Sequence, residues 1–183
     1  SDVYCGIHSQ LSGFILTMSI VSKLLEDCIQ DRHWELVKGL LNLSDLPYSD
    51  TSFELKDIIR CNIIPFASDI TSILHQAQQE EKMISTLNTI HEYWTTVDFL
   101  FEERIQNVQC AWLSSDSVVT LEEHQFLINS LLWSRYLESD LYTNEGETFQ
   151  LRTDVMKWNS KLKLIAFVVS LLDKVQTLWS KLS

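Results

Sequence analysis

Between Pro65 and Trp94 the apolar residues Phe66, Ile70, Ile73, Ala77, Ile84, Leu87 and Trp94 recur in steps of three and four, or sums of them, and only Glu80 and His91 interrupt the series. That spacing lays one stripe along a helix. Pro65 suits the first helical position, where its missing N–H would have had no partner. A helix over residues 65–94 is about 45 Å long. A rod of that length with a narrow apolar seam must be covered by neighbouring helices.

The flanking chain supplies them. Ile7, Leu11, Phe14, Ile15, Met18, Val21, Leu24, Leu25 and Cys28 predict a first amphipathic helix ending near Gln30. Asp31 is placed to cap a second helix, with Trp34, Val37, Leu40 and Leu41 facing inward. Leu43–Ser52 has loop composition, and a short helix is expected from Phe53 to Cys61. After Trp94 the period falls to two. Val97, Phe99 and Phe101, then Val108, Cys110 and Trp112, predict a β-hairpin over about 96–113 with Glu102–Asn107 as its polar turn. A lone hairpin needs helices to pack on. Thr120 and Glu123 have capping-box spacing, opening a helix through Leu127, Leu131, Leu137 and Leu141 to Gly146. Leu151, Val155, Trp158, Leu162, Ile165, Val169, Leu172, Gln176 and Trp179 mark a last, long seam. The predicted fold is all-α, an elongated antiparallel helical bundle with one small hairpin insertion. Residues 1–183 read as a single helical segment and a fragment of something longer.

Composition narrows the function. Hydrophobic residues make up 45% of the 183, enough for a substantial core, and four glycines with two prolines favour long uninterrupted elements. A formal net charge of −11 argues against nucleic acid and against anionic membrane surfaces, both of which need clustered Lys and Arg. Cys5, Cys28, Cys61 and Cys110 form no CxxC pair and read as reduced, core-type thiols of a cytoplasmic protein. Asn42-Leu43-Ser44 is a sequon of the kind that arises by chance, and no run of about 18 apolar residues suggests a membrane span.

Candidate chemistry is sparse. No GxxxxGK[ST] phosphate loop and no GxSxG elbow occurs. His75 and His91 would lie about 24 Å apart along one helix, too far to share a metal. His33-Trp34-Glu35 has the His-x-Glu form of zinc deaminases but lacks the Pro-Cys-x-x-Cys partner. Glu80 on the apolar seam is either an acid in a hydrophobic site or, more simply, a carboxylate paired with an Arg or capping a neighbouring helix. His91 reads as a hydrogen-bonded core histidine. Trp34, Trp94, Trp158 and Trp179 read as core anchors before binding platforms. Glu102-Glu103-Arg104 reads as a solvated turn. These patterns imply no cofactor, no metal and no catalytic site in this segment.

Several patterns in order resemble the linker region of dynein heavy chains, its N-terminal half. They are Arg32-His33-Trp34; Leu55 with Ile58-Ile59; Ala77 with Glu80; Leu87-x-x-Ile90-x-x-x-Trp94; Phe99 and Phe101; Ser134 with Arg135-Tyr136; Trp158-x-x-x-Leu162; and Gln176-x-x-Trp179-x-x-Leu182. The resemblance runs from about residue 11 to the end. It marks Arg32, His33, Trp34, Ala77, Glu80, Trp94, Trp158, Gln176 and Trp179 as structural positions.

What the resemblance implies is mechanical. The linker of such motors is a helical arm lying across a ring of AAA+ ATPase modules, and its swing transmits force to the tail. The expected partners are the AAA+ modules and the tail of the same heavy chain, with accessory chains reached through the tail. No direct microtubule contact is expected from so acidic a segment. The implied location is the cytoplasm and cytoskeleton, with a cilium as a further possibility. Bending would be confined to connections such as Leu43–Ser52 and Ser114–Val119. The alternative is a helical scaffold or tethering module unrelated to dynein.

Overall fold

The computed structural model describes residues 2–41, 63–105, 108–137 and 147–182. It is mostly helical with one small two-stranded antiparallel sheet, as the periodicity predicts. The chain divides into two compact units, Ser1–Lys82 and Met83–Ser183. The expected connection Leu43–Ser52, the helix Phe53–Cys61, the sequon, Leu141 and Gly146 lie outside the described residues.

The first unit holds helices α1 (Asp2–Leu24) and α2 (Asp31–Leu41) and the first part of α3 (Ala67–Thr96). A single 3-10 turn, Ile64–Phe66, precedes α3 and contains Pro65, so the proline sits just before the α-helix instead of on its first position. The core is Ile20, Val21 and Leu24 of α1, Val37 of α2, Ile63, and Ile70 and Leu74 of α3. Helix α1 stops at Leu24, six residues before Gln30. Glu26 and Asp27 follow at once, and negative charge at a helix C-terminus opposes the dipole. Turns closed by Glu26 N–H to Lys23 O and Ile29 N–H to Glu26 O redirect the chain. Only the C-terminal part of the α1 stripe is buried; Ile7, Leu11, Phe14, Ile15 and Leu25 are exposed. Cys5 is exposed and Cys28 half-buried, so the core-thiol expectation holds for neither.

The second unit holds the rest of α3, strands β1 (Leu100–Ile105) and β2 (Val108–Trp112), and helices α4 (Ser115–Leu132) and α5 (Glu147–Leu182). Met83, Leu87 and Ile90 of α3 meet Leu121 and Ile128 of α4 and Leu151, Val155 and Leu162 of α5, with Leu137 beside them. The α3 stripe drifts as 3.6 residues per turn predicts. Ile90 is therefore buried where His91 was expected, and His91 is exposed, with its ring edge-on to Trp158 at 5.9 Å.

The strands pair with Leu100 opposite Trp112 and Phe101 opposite Ala111, and an irregularity falls between Glu103 and Ile105. Glu102-Glu103-Arg104 is thus strand, not turn. Helix α4 starts five residues before Thr120, because Ser114, with φ −58° and ψ 152°, accepts the Ser117 N–H on its side chain. Thr120 is interior, its hydroxyl donating to the Asp116 carbonyl. The stretch expected to bend, Ser114–Val119, is the capped first turn of a helix. Helix α4 ends at Leu132, short of Leu137 and of the expected cap at Gly146, and Trp133 beyond it is 89% exposed. Trp179 on α5 is 55% exposed and does not anchor a core. Of the remaining tryptophans expected inside, Trp34 packs on the first core, and Trp94 and Trp158 on the second.

Leu162 is 0% exposed and Leu164, two residues on, is 62% exposed. Leu162→Ala should cost about 2–5 kcal/mol. Leu164→Ala should stay within about 0.5 kcal/mol. Urea unfolding of the 183-residue chain compares the two.

Candidate functional site

Three polar joints are built into the helical packing. The first lies within unit one. On α2, Gln30 precedes the helix and its carbonyl accepts the N–H groups of His33 at 2.9 Å and Trp34 at 3.2 Å. His33 Nδ1 in turn accepts the Gln30 N–H at 3.1 Å. This is the returning half of a capping box, with histidine in the place of the usual Glu or Gln, and Asp31 is the first helical residue, not the cap. An Nδ1 that accepts assigns the proton of the neutral ring to Nε2. That nitrogen lies 3.3 Å from Oε2 of Glu80, on α3.

Glu80 is 1% exposed, and its carboxylate is surrounded by donors. Arg32 Nη2 donates to Oε2 at 2.7 Å and Gln76 Nε2 to Oε1 at 3.0 Å. Burial alone would raise the Glu80 pKa. The hydrogen bonds from His33, Arg32 and Gln76, with the Arg32 charge, outweigh it and hold the carboxyl below the usual range. Arg32 and His33 therefore bind α2 to α3 through one carboxylate, and Trp34 packs beside them on the apolar core. Ala77, also marked by its position in the sequence, is buried one turn before Glu80.

The second joint lies within unit two. Trp94 Nε1 donates to His124 Nδ1 at 3.0 Å, and Tyr93 donates its hydroxyl proton to Ser117 Oγ at 3.1 Å. The Tyr93 and His124 rings meet edge-on at 5.4 Å. An indole N–H can only donate, so His124 Nδ1 must be unprotonated. Burial lowers the His124 pKa, against the opposing charge of Glu123. The cap residue Ser114 also bonds Ser117, so the helix cap and the tyrosine share one hydroxyl.

The third joint fixes the hairpin. Gln176 of α5 accepts the Ala111 N–H on Oε1 at 2.8 Å and donates from Nε2 to the Ala111 carbonyl at 2.8 Å. Both Ala111 groups thus face away from β1, and the side-chain amide acts as a one-residue strand on the open edge of β2. Beside it lies a groove of about 640 Å³ bounded by Leu113, Leu121, Gln125, Val169 and Asp173. Trp158, the remaining marked position, carries Lys161 Nζ 4.6 Å over its ring.

Sequence reasoning singled out Arg32, His33, Glu80, Trp94 and Gln176. It missed Gln76, His124 and the Ser114–Ser117 pair. His124 stands between Leu121 and Ile128 at three-then-four spacing, a polar residue on a buried stripe, which is a readable signal. Among the described residues no group of three or more His, Cys, Asp or Glu could hold a metal ion. What the joints do is mechanical: they fix which helix faces meet.

Two outcomes follow. Glu80→Ala leaves Arg32 and His33 facing a void and should cost about 3 kcal/mol in urea unfolding, since one partner of a buried pair is removed. Because the folded carboxyl titrates below its unfolded value, its contribution is complete above about pH 4.3 and fades as pH falls through the lower folded value. Glu80→Gln should flatten that acid limb. His124 behaves alike in direction. Its neutral form is favoured by folding, so its contribution is complete above about pH 6.5 and lost as pH falls through the lowered folded value. Trp94 fluorescence should report that loss, and His124→Gln should abolish it while retaining an acceptor.

Residues 1–183 match the family model described as dynein heavy chain, N-terminal region 2. The flagellar outer-arm dynein alpha chain of Chlamydomonas reinhardtii is 23% identical over 182 residues, covering 99% of this chain and 4% of that protein. Dynein axonemal heavy chain 17 of Mus musculus is 27% identical over 183 residues, again covering 99% of this chain and 4% of the relative. Dynein heavy chain-like protein 2 of Plasmodium falciparum is 21% identical over 180 residues, 93% of this chain and 3% of the relative. This chain thus spans a small fraction of the proteins it resembles, and a match over its whole length sets aside a scaffold unrelated to dynein. The chain belongs to the dynein heavy chain family, in its N-terminal region 2.

Proposed function

We propose that this segment is the N-terminal half of a dynein linker, a passive mechanical element that passes ATP-driven changes in an AAA+ ring to the tail during microtubule-based movement. The observation that carries the proposal is the Glu80 clamp. A buried carboxylate tied to Arg32, His33 and Gln76 gives one geometry at which α2 and α3 fit, which suits an arm that must carry load without yielding. Continuous apolar seams add stiffness at about 25 cal/mol per Å² of surface buried.

The partners of this reading are the AAA+ modules and tail of the same heavy chain, with accessory chains held at the tail. The axonemal and flagellar names of the relatives favour an axonemal motor, in the cytoskeleton of a cilium or flagellum. The net charge of −11 disfavours direct contact with an acidic microtubule surface.

The test uses the full heavy chain. Glu80→Ala should leave ATP turnover within about twofold while microtubule gliding slows several-fold, because the lever yields and the ring does not. Gliding that keeps pace with ATP turnover in that variant rejects the lever reading.

A further inference from the structure

Helix α5 carries two apolar seams, and the chain's own core uses one of them. The used seam includes Leu151, Val155 and Leu162, all buried. The second runs Leu164, Val168, Leu171, Val175, Leu178 and Leu182, and every one of these side chains is exposed. The steps are four, three, four, three, four, the heptad spacing of a coiled-coil stripe. Written as heptads, one position is Val168, Val175 and Leu182, and the other is Leu164, Leu171 and Leu178. Branched residues at the first and leucine at the second is the composition that takes a helix as partner. From Leu164 to Leu182 the stripe is about 27 Å long. An apolar stripe of this length left in water is a liability.

The geometry points to a helix from another part of the same heavy chain, apolar at heptad spacing and carrying carboxylates, as the occupant of this stripe. Two observations select it. Lys174 and Lys181 flank the stripe on one side, exposed and one heptad apart, so the facing positions call for acids. A second copy of α5 does not meet that requirement. Its own flanks are Phe167, Lys174 and Lys181 on one side and Ile165, Leu172 and Trp179 on the other, so antiparallel pairing sets Lys174 against its copy and parallel pairing sets the lysines against apolar groups. The source follows from length. The chain spans only 4% of the relatives it matches, so nearly all of such a heavy chain lies outside these residues. A helix on the same polypeptide meets the stripe at a high effective concentration, which a separate protein does not. The inference rests on family membership and stands apart from the lever reading.

The test is site-specific photo-crosslinking in the full-length heavy chain. Leu171→p-benzoylphenylalanine should give a cross-linked peptide from the same heavy chain, outside residues 1–183, with apolar residues in steps of three and four and Asp or Glu beside them. Exposed Lys163, off the stripe, is the control position for the same substitution. Reversing Lys174→Glu and Lys181→Glu together should lower the Leu171 cross-link yield about tenfold, since like charges then face one another. A product with residues 1–183 of a second copy, a product with a different polypeptide, or a yield no higher than at position 163 overturns the inference. An unchanged yield after charge reversal overturns the acidic character of the partner. A maleimide labelling rate at Leu171→Cys equal to that at Lys163→Cys in the same heavy chain overturns it independently.

Discussion

One buried carboxylate governs the first unit. Glu80 takes a charge into a site where an isolated ion would be expensive, and it is tolerated because three side chains converge on it. Two of them, Arg32 and His33, are consecutive on α2, and His33 is also the residue that closes the start of that helix. Helix initiation and helix packing thus share a ring. A change that turns the imidazole disturbs both, which is a stronger constraint than either bond alone. Apolar contacts among Val37, Ile70 and Leu74 supply most of the attraction, but they would accept small slides. The carboxylate does not, and this selectivity is what a buried polar group can add to a greasy interface.

The second unit uses neutral hydrogen bonds for the same purpose. Trp94 to His124 and Tyr93 to Ser117 place consecutive aromatic residues of α3 against α4. Each couples a large apolar body to a directional tip. The cap of α4 is drawn into the same network through Ser114. Both units therefore tie the onset of a helix to its packing.

Much of this was legible in the sequence. The period of three and four located α3 and α5, and the shift to period two located the hairpin, because those patterns are set by backbone geometry. Glu80 and Gln176 stood out as polar residues on apolar stripes. What periodicity could not reveal depended on local competition or on absent neighbours. Thr120 and Glu123 satisfy the capping-box pattern, yet Ser114 supplies a serine cap earlier in the chain and wins the helix start. The first half of the α1 stripe read as core but is exposed, because a stripe states that a face seeks cover and not where the cover comes from. His124 lies on the stripe of Leu121 and Ile128 and was overlooked because the expected stripe was read through Leu127 and Leu131 instead.

The amide of Gln176 has a consequence beyond fixing the hairpin. A two-stranded ribbon has open edges, and an open edge invites another strand. By occupying both Ala111 backbone groups, the glutamine blocks a rung at which a stray strand could add to β2. Were α5 to lift away, the ribbon would gain an adhesive border. The same contact that holds the hairpin in place therefore shields this part of the β2 edge from an added strand.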